Sequence, residues 1–158
     1  MSIKIGIDIG GVLRSKRDSL ALNSDMPQPP TPNAIEVMKN LVSRYGKENL
    51  YIISKVPEES EELMLIWLRD NGMFEDVGTD PSHVYFCRLR TEKAFIASEL
   101  KLNYFVDDRA EVLESMNGIV DRRIMYSANG KHENSQDNGI IRLSSWRDIE
   151  DDLLRYCS

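Results

Sequence analysis

Strand-like and helix-like segments alternate along all 158 residues, which predicts an α/β fold: a three-layer sandwich with a mainly parallel central sheet and helices on both faces. Two further observations support this class. Each short apolar run ends on a polar or glycine stop before a helical pattern begins, as a buried parallel strand feeding a crossover helix requires. The chain, 41% apolar, is also long enough for one sizeable core and too short to need two, so a single domain over residues 1–158 is expected.

The elements follow in order. Ile3-Lys4-Ile5-Gly6-Ile7-Asp8-Ile9, rich in β-branched residues and stopped by Gly10-Gly11, reads as the first strand and a tight turn. From Leu13 to Pro32 the chain is polar and then proline-rich, and missing N–H groups with fixed φ angles predict an extended surface loop. Asn33 has the chemistry to cap a helix on which Ile35, Val37, Met38, Leu41 and Val42 recur at three- to four-residue spacing, with Gly46 as its stop. Leu50 to Ile53 is a second strand, ended by Ser54.

A helix over 58–70 opens on a glutamate-rich turn, which suits a helix N-terminus. It carries Leu63, Ile66 and Trp67 on one face and closes at Asn71-Gly72. Val84 to Cys87 is a third strand. Residues 91–101 form a helix with Ala94, Phe95, Ala97, Ser98 and Leu100 available for packing, and Tyr104 to Val106 a fourth strand stopped by Asp107-Asp108. After a short helix over 109–117, Gly118 leads into a fifth strand over 119–126. A polar loop through Gly130 to Asn138 precedes a last strand at Ile140 to Leu143, and Ser145 caps a closing helix that runs to Tyr156. The arrangement is Rossmann-like, with no internal repeat.

Composition narrows the function classes. Twenty basic against 26 acidic residues give a net charge of -6, which disfavours a duplex-binding surface and leaves room only for a local basic patch. The two cysteines do not suggest a disulfide: Cys87 sits in an apolar run, where a thiol packs. With no charged leader and long apolar stretch before the first strand, and no run near the roughly 20 residues that span a bilayer, a cytoplasmic protein with no membrane partner is expected. His83 and His132 read as surface or strand-flanking residues, and Trp67 and Trp146 as core or interface residues.

In an open α/β sheet, ligands bind outside the carboxyl ends of the strands. Asp8, Ser54 and the Asp107-Asp108 pair all stop predicted strands at that end and would face one crevice. Carboxylates about 4 Å apart repel by about 4 kcal/mol per pair at an effective dielectric near 20, so a positive group must sit among them. An oxygen-only donor set suits magnesium, and the absence of histidine and cysteine from these strand ends disfavours zinc. Such a metal would bridge to a substrate oxyanion and leave Asp8 to attack phosphorus in line.

The motifs Asp8-Ile9-Gly10-Gly11-Val12-Leu13, Ser54 after a strand, Lys93 opening a helix, and Phe105-Val106-Asp107-Asp108-Arg109 resemble, in order and over nearly the whole chain, those of the haloacid dehalogenase-like superfamily. The resemblance implies that Asp8 accepts the phosphoryl group, Ser54 hydrogen-bonds a phosphoryl oxygen, and Lys93 neutralises the growing charge. It also implies that Asp107, Asp108, Asp8 and the backbone carbonyl of Gly10 hold or orient magnesium. A carboxylate attacking an anionic phosphoryl group needs both a divalent ion and a fixed cation nearby, so the physical reading agrees. Gly11 and Arg14 in the loop after the nucleophile, and Arg88 with Arg90 past the third strand, are the expected substrate contacts.

One position departs from the pattern. Superfamily phosphatases usually carry a second aspartate two residues after the nucleophile, as acid and base, and here that residue is Gly10. General acid-base catalysis contributes about 10² to 10⁴-fold, or roughly 3 to 5 kcal/mol of barrier, so hydrolysis of simple alkyl phosphates should be slow. Three outcomes stay open: substrates with good leaving groups, replacement of the acid by another residue such as Asp18 or Asp25, or a phospho-ligand binding or regulatory protein with little turnover. The gaps between motifs hold no sizeable cap, so the phosphate would sit on a small molecule or protrude from a larger one. A dehalogenase needs no metal, and a receiver domain would place its acidic pair after the first strand. Asp107-Asp108 after the fourth argues against both.

Overall fold

A computed structural model describes residues 2–16 and 28–158. Six strands, β1 (Ile5–Ile7), β2 (Leu50–Lys55), β3 (Val84–Cys87), β4 (Tyr104–Asp107), β5 (Arg122–Tyr126) and β6 (Ile140–Leu143), form one sheet in the order β3-β2-β1-β4-β5-β6. Every pairing is parallel, with Ile7 opposite Ile52 on one side and Val106 on the other. Helices α1 (Ala34–Tyr45), α2 (Glu61–Asp70), α3 (Thr91–Leu100), α4 (Ala110–Ser115) and α5 (Trp146–Tyr156) supply the covering layers. Two buried clusters flank the sheet: one gathers Ile5, Ile7, Met38, Leu41, Trp67 and Trp146, the other Ile53, Ala97, Phe105, Leu113 and Met125. The Rossmann-like sandwich read from the sequence is the observed fold, and among the described residues no cap domain interrupts it. None of the described helices is long and apolar enough to cross a membrane.

Several local expectations are corrected. β1 is shorter than the run Ile3 to Ile9, because Asp8 already leaves the strand and Val12 and Arg14 donate back to the Ile9 carbonyl in a tight turn. Asn33 stands at the start of α1 in the left-handed conformation (φ 65°) and makes no side-chain cap; the Thr31 carbonyl accepts from Ala34 instead. Ser145 does cap α5, accepting from the Asp148 amide at 3.1 Å. Gly46 ends α1 at φ 88° and Gly72 follows α2 at φ 78°, backbone conformations that favour glycine. The buried face of α2 is Met64, Trp67 and Leu68, leaving Leu63 69% exposed. On α3, Phe95 is 67% exposed and Ser98 is also outside, while Lys93, Ala94 and Ala97 face inward. A turn at 58–60 precedes α2, and β5 begins only at Arg122, after Val120 has packed into the core.

Candidate active site

The strand order reverses between β1 and β4, and at such a switch point the loops leaving two neighbouring strands diverge and open a crevice. Asp8 follows β1 and Asp107 ends β4, so the two carboxylates flank that opening. Ser54, on the other neighbour of β1, and Asp108 complete the rim. All four are at most 9% exposed. The crevice has a volume of about 490 Å³, and Gly10, Gly11, Arg14 and Lys93 also line it.

The loop after β1 is held from both ends of the chain. Gly11 donates to the Arg14 carbonyl, Ser15 to that of Pro29, and Thr31 to that of Leu13, which ties the segment around Pro29 to the loop after Asp8. The Thr31 hydroxyl donates to the Val12 carbonyl at 2.5 Å, and the buried Trp146 indole reaches both Val12 and Thr31. Gly11 has φ 77°, and a Cβ there would lie 2.3 Å from Asp108 Oδ2, so only glycine lets the loop pass this close to the carboxylate. Gly10 differs: a Cβ at that position meets nothing within 4 Å.

Lys93 lies one turn into α3, whose start is fixed by Glu92 accepting from the amides of Arg88 and Leu89. Its ammonium stands 2.8 Å from Asp107 Oδ2 and 3.1 Å from Asp8 Oδ1. Burial works against that charge, but Asp8 and Asp107 outweigh it and hold Lys93 protonated well above the ordinary lysine range. Burial raises the Asp8 carboxyl, Lys93 pulls it back and Asp108 adds repulsion, with a net shift upward. Asp107 is pushed up to about 8 by burial and by the Asp8 charge, against the pull of Lys93.

Asp8, Asp107 and Asp108 each offer an oxygen, and the three oxygens lie within 4.8 Å of one another. With Lys93 on one side and the Lys16 ammonium 2.9 Å from Asp108 on the other, this all-oxygen set has the chemistry of a hard divalent-cation site. The donor type and the closeness of the three carboxylates fit a bound magnesium ion.

Of the residues singled out from sequence, Asp8, Ser54, Lys93, Asp108, Gly10, Gly11 and Arg14 line the crevice, and Asp107 lies directly behind, fully buried against Lys93. Arg88 is the correction. Its guanidinium is bound by Glu61 and by the Val56 carbonyl at 3.1 Å, which holds it toward α2 and away from the crevice. Arg90 lines the crevice instead, 2.6 Å from Glu111. Asp18 and Asp25, considered as substitutes for the absent acid, lie outside the described residues, as does Arg17.

Sequence reasoning missed Lys55, Gln28 and Arg109 as lining residues. Lys55 had a readable signal, since it follows Ser54 on the same strand end. Among the described residues, six cationic side chains line the crevice against two carboxylates, although the chain as a whole is acidic. His83 flanks a strand as expected, stacked 4.4 Å from Tyr51, and His132 borders a smaller cavity beside Gly11, Lys16 and Asp108.

Comparison with known proteins agrees with this architecture. A haloacid dehalogenase-like family hydrolase from Xanthomonas campestris superposes with a TM-score of 0.69, covering 98% of this chain and 96% of that one at 10% identity. A Bacillus cereus protein named "Putative nucleotidase" is 32% identical over 125 residues, which are 77% of this chain. The chain spans 59% of the length of that relative. No protein-family model matches the chain. The chain has the haloacid dehalogenase-like fold, and the described residues hold no obvious cap.

Proposed function

We propose that the chain is a magnesium-dependent phosphohydrolase or phosphotransferase of the haloacid dehalogenase-like superfamily, with Asp8 as nucleophile. The observation that carries the reading is the placement of Asp8, Lys93 and the Asp107-Asp108 pair within one crevice at the switch point of the sheet. The fold shared with the Xanthomonas campestris hydrolase and the similarity to the Bacillus cereus relative support the coarser part, a phosphohydrolase-type activity. The relative's name makes nucleoside monophosphates reasonable first substrates.

Each residue has a defined task. Asp8, its Oδ1 fixed by the Ile9 amide at 2.8 Å, keeps an oxygen to form a bond to phosphorus as the bond to the leaving oxygen breaks. Lys93 neutralises the charge shared by carboxylate and phosphoryl group, and Asp107 holds Lys93 in place while the Arg109 amide holds Asp107 at 3.0 Å. Ser54 is positioned to donate to a phosphoryl oxygen. The cations at the mouth, Arg14, Lys16, Lys55, Arg90 and Arg109, attract the dianion. Magnesium, held by Asp8, Asp107, Asp108 and the Gly10 carbonyl, would supply charge neutralisation of the phosphoryl oxygens. Water then cleaves the Asp8 acyl phosphate to release inorganic phosphate and restore the carboxylate, or an acceptor alcohol takes the phosphoryl group.

Gly10 favours a second reading, a phospho-ligand binding or regulatory protein. The deciding experiment follows phosphate release from p-nitrophenyl phosphate and acetyl phosphate, with and without magnesium, in the native chain, Asp8→Asn and Gly10→Asp. Magnesium-dependent turnover that disappears in Asp8→Asn supports the enzyme. No native turnover, with activity only in Gly10→Asp, supports the binding protein.

A further inference from the structure

Beside the crevice runs a second depression of about 900 Å³ with a mostly apolar lining: Pro30, Val56, Pro57, Leu63, Ile66 and the edge of Trp67. It is not a separate site. Arg14, Gln28 and Lys55 line both depressions, so the two are continuous past the strand end that carries Ser54. The groove wall is built by the turn after β2, by α2 and by the proline segment, and the Trp67 indole donates to the Gln28 carbonyl at 2.7 Å to fix that segment against the helix. Leu63, the most exposed large apolar side chain among the described residues, stands on this wall with no core reason to be leucine.

We propose that this groove receives the leaving group, so that the preferred substrates are phosphomonoesters whose alcohol carries an elongated or planar apolar body. The inference rests on the phosphohydrolase reading, and it names the substrate class of that same site. A phosphoryl group bound against Asp8 and Lys93 occupies only the inner part of the crevice. The ester oxygen leads outward, and along the side of Lys55 and Gln28 it meets apolar surface. The groove's size lies within the range of small-molecule pockets, roughly 300 to 1,000 Å³, which suits one such body rather than a folded partner. Among the described residues no cap encloses the substrate, and apolar contact of this kind is a source of selectivity.

The test compares phenyl phosphate with biphenyl-4-yl phosphate, whose leaving phenols are of similar acidity, so that only apolar reach differs. Binding of phenylphosphonate and biphenyl-4-ylphosphonate, measured by calorimetry with magnesium present, gives a readout that needs no turnover. In the native chain the biphenyl compounds should be favoured about tenfold in kcat/KM and in affinity, since a second ring buries apolar area in the groove. Leu63→Gln, at an exposed position, should cut both ratios about threefold or more. Leu65→Gln, on the same helix and outside the groove, should leave them as they are. Turnover without any preference, a preference that survives Leu63→Gln, or no binding of either phosphonate overturns the groove assignment. Tighter binding of the biphenyl phosphonate without turnover of any ester upholds the groove and overturns the enzyme reading instead.

Discussion

Trp146 donates its indole N–H to the carbonyl of Val12 at 3.0 Å, across 134 residues of sequence. The contact joins the first turn of α5 to the loop that follows Asp8, and Thr31 completes the bracket from the proline segment. Replacing the indole by a benzene ring keeps most of the packing and removes the donor. Trp146→Phe should cost about 1–2 kcal/mol of stability, seen as a lower Tm, and should lower kcat more than it raises KM, because the loop is loosened and the phosphate cations are untouched.

Gly10→Asp should raise turnover of alkyl phosphates by about 10²-fold or more, since it supplies the missing acid and base. The open space at Gly10 means that the fold need not move to accept it. Comparing alkyl with acyl phosphates checks the cause: the gain should be large for the poor leaving group and small for the good one.

Gly11→Ala should behave in the opposite way. The added methyl meets Asp108 at a φ that disfavours any side chain, so strain of roughly 1–2 kcal/mol falls on a carboxylate of the proposed magnesium site. Magnesium titration of the variant should show weakened affinity, while Gly10→Ala should bind as the native chain does.

Metal-free stability should fall as the solution becomes alkaline. The folded-state Asp107 carboxyl is pushed up to about 8 from 3.8 by burial and by the charge of Asp8. Between those values the native state holds a proton that the unfolded chain has released, so unfolding becomes easier as pH rises through that window. The Tm of the metal-free protein should therefore be lower at about pH 8 than at about pH 5.5. Asp137 and Asp152, whose carboxyls are depressed by Arg123 and Arg122, act the other way, but only as pH falls toward and below the usual aspartate range. Magnesium should raise the Tm most at the alkaline end, where both buried carboxylates are needed ionised, and Asp108→Asn should blunt that rise.

The sheet and the reactive carboxylates were legible in the sequence because both depend on local pattern. A β-branched run that stops on aspartate places that aspartate at a strand's carboxyl end, whatever the rest of the chain does. The helix faces were less legible. On α3, Phe95 looked like a packing residue, yet the inward face is set by Lys93 turning to meet Asp8 and Asp107, which sends Phe95 to solvent. Arg88 lay at the right end of a strand, but Glu61 from another helix draws it aside, an interaction between residues 27 apart that no local pattern records. The bracket from Trp146 and Thr31 was invisible for the same reason.

The order of the sheet separates what must stay fixed from what is free to drift. The strands that bear Asp8, Ser54 and Asp107 are three side-by-side neighbours, β2-β1-β4, while β3, β5 and β6 lie outward of them. The loop leaving β3 reaches the crevice through Arg90, and the loop leaving β5 lines the smaller cavity beside Gly11 and Asp108, so neither carries the clustered carboxylates. Insertions in those loops would alter the surroundings of the crevice while Asp8, Ser54 and Asp107 keep their register on three adjacent strands, so the periphery of this scaffold can change with little disturbance to the carboxylate cluster.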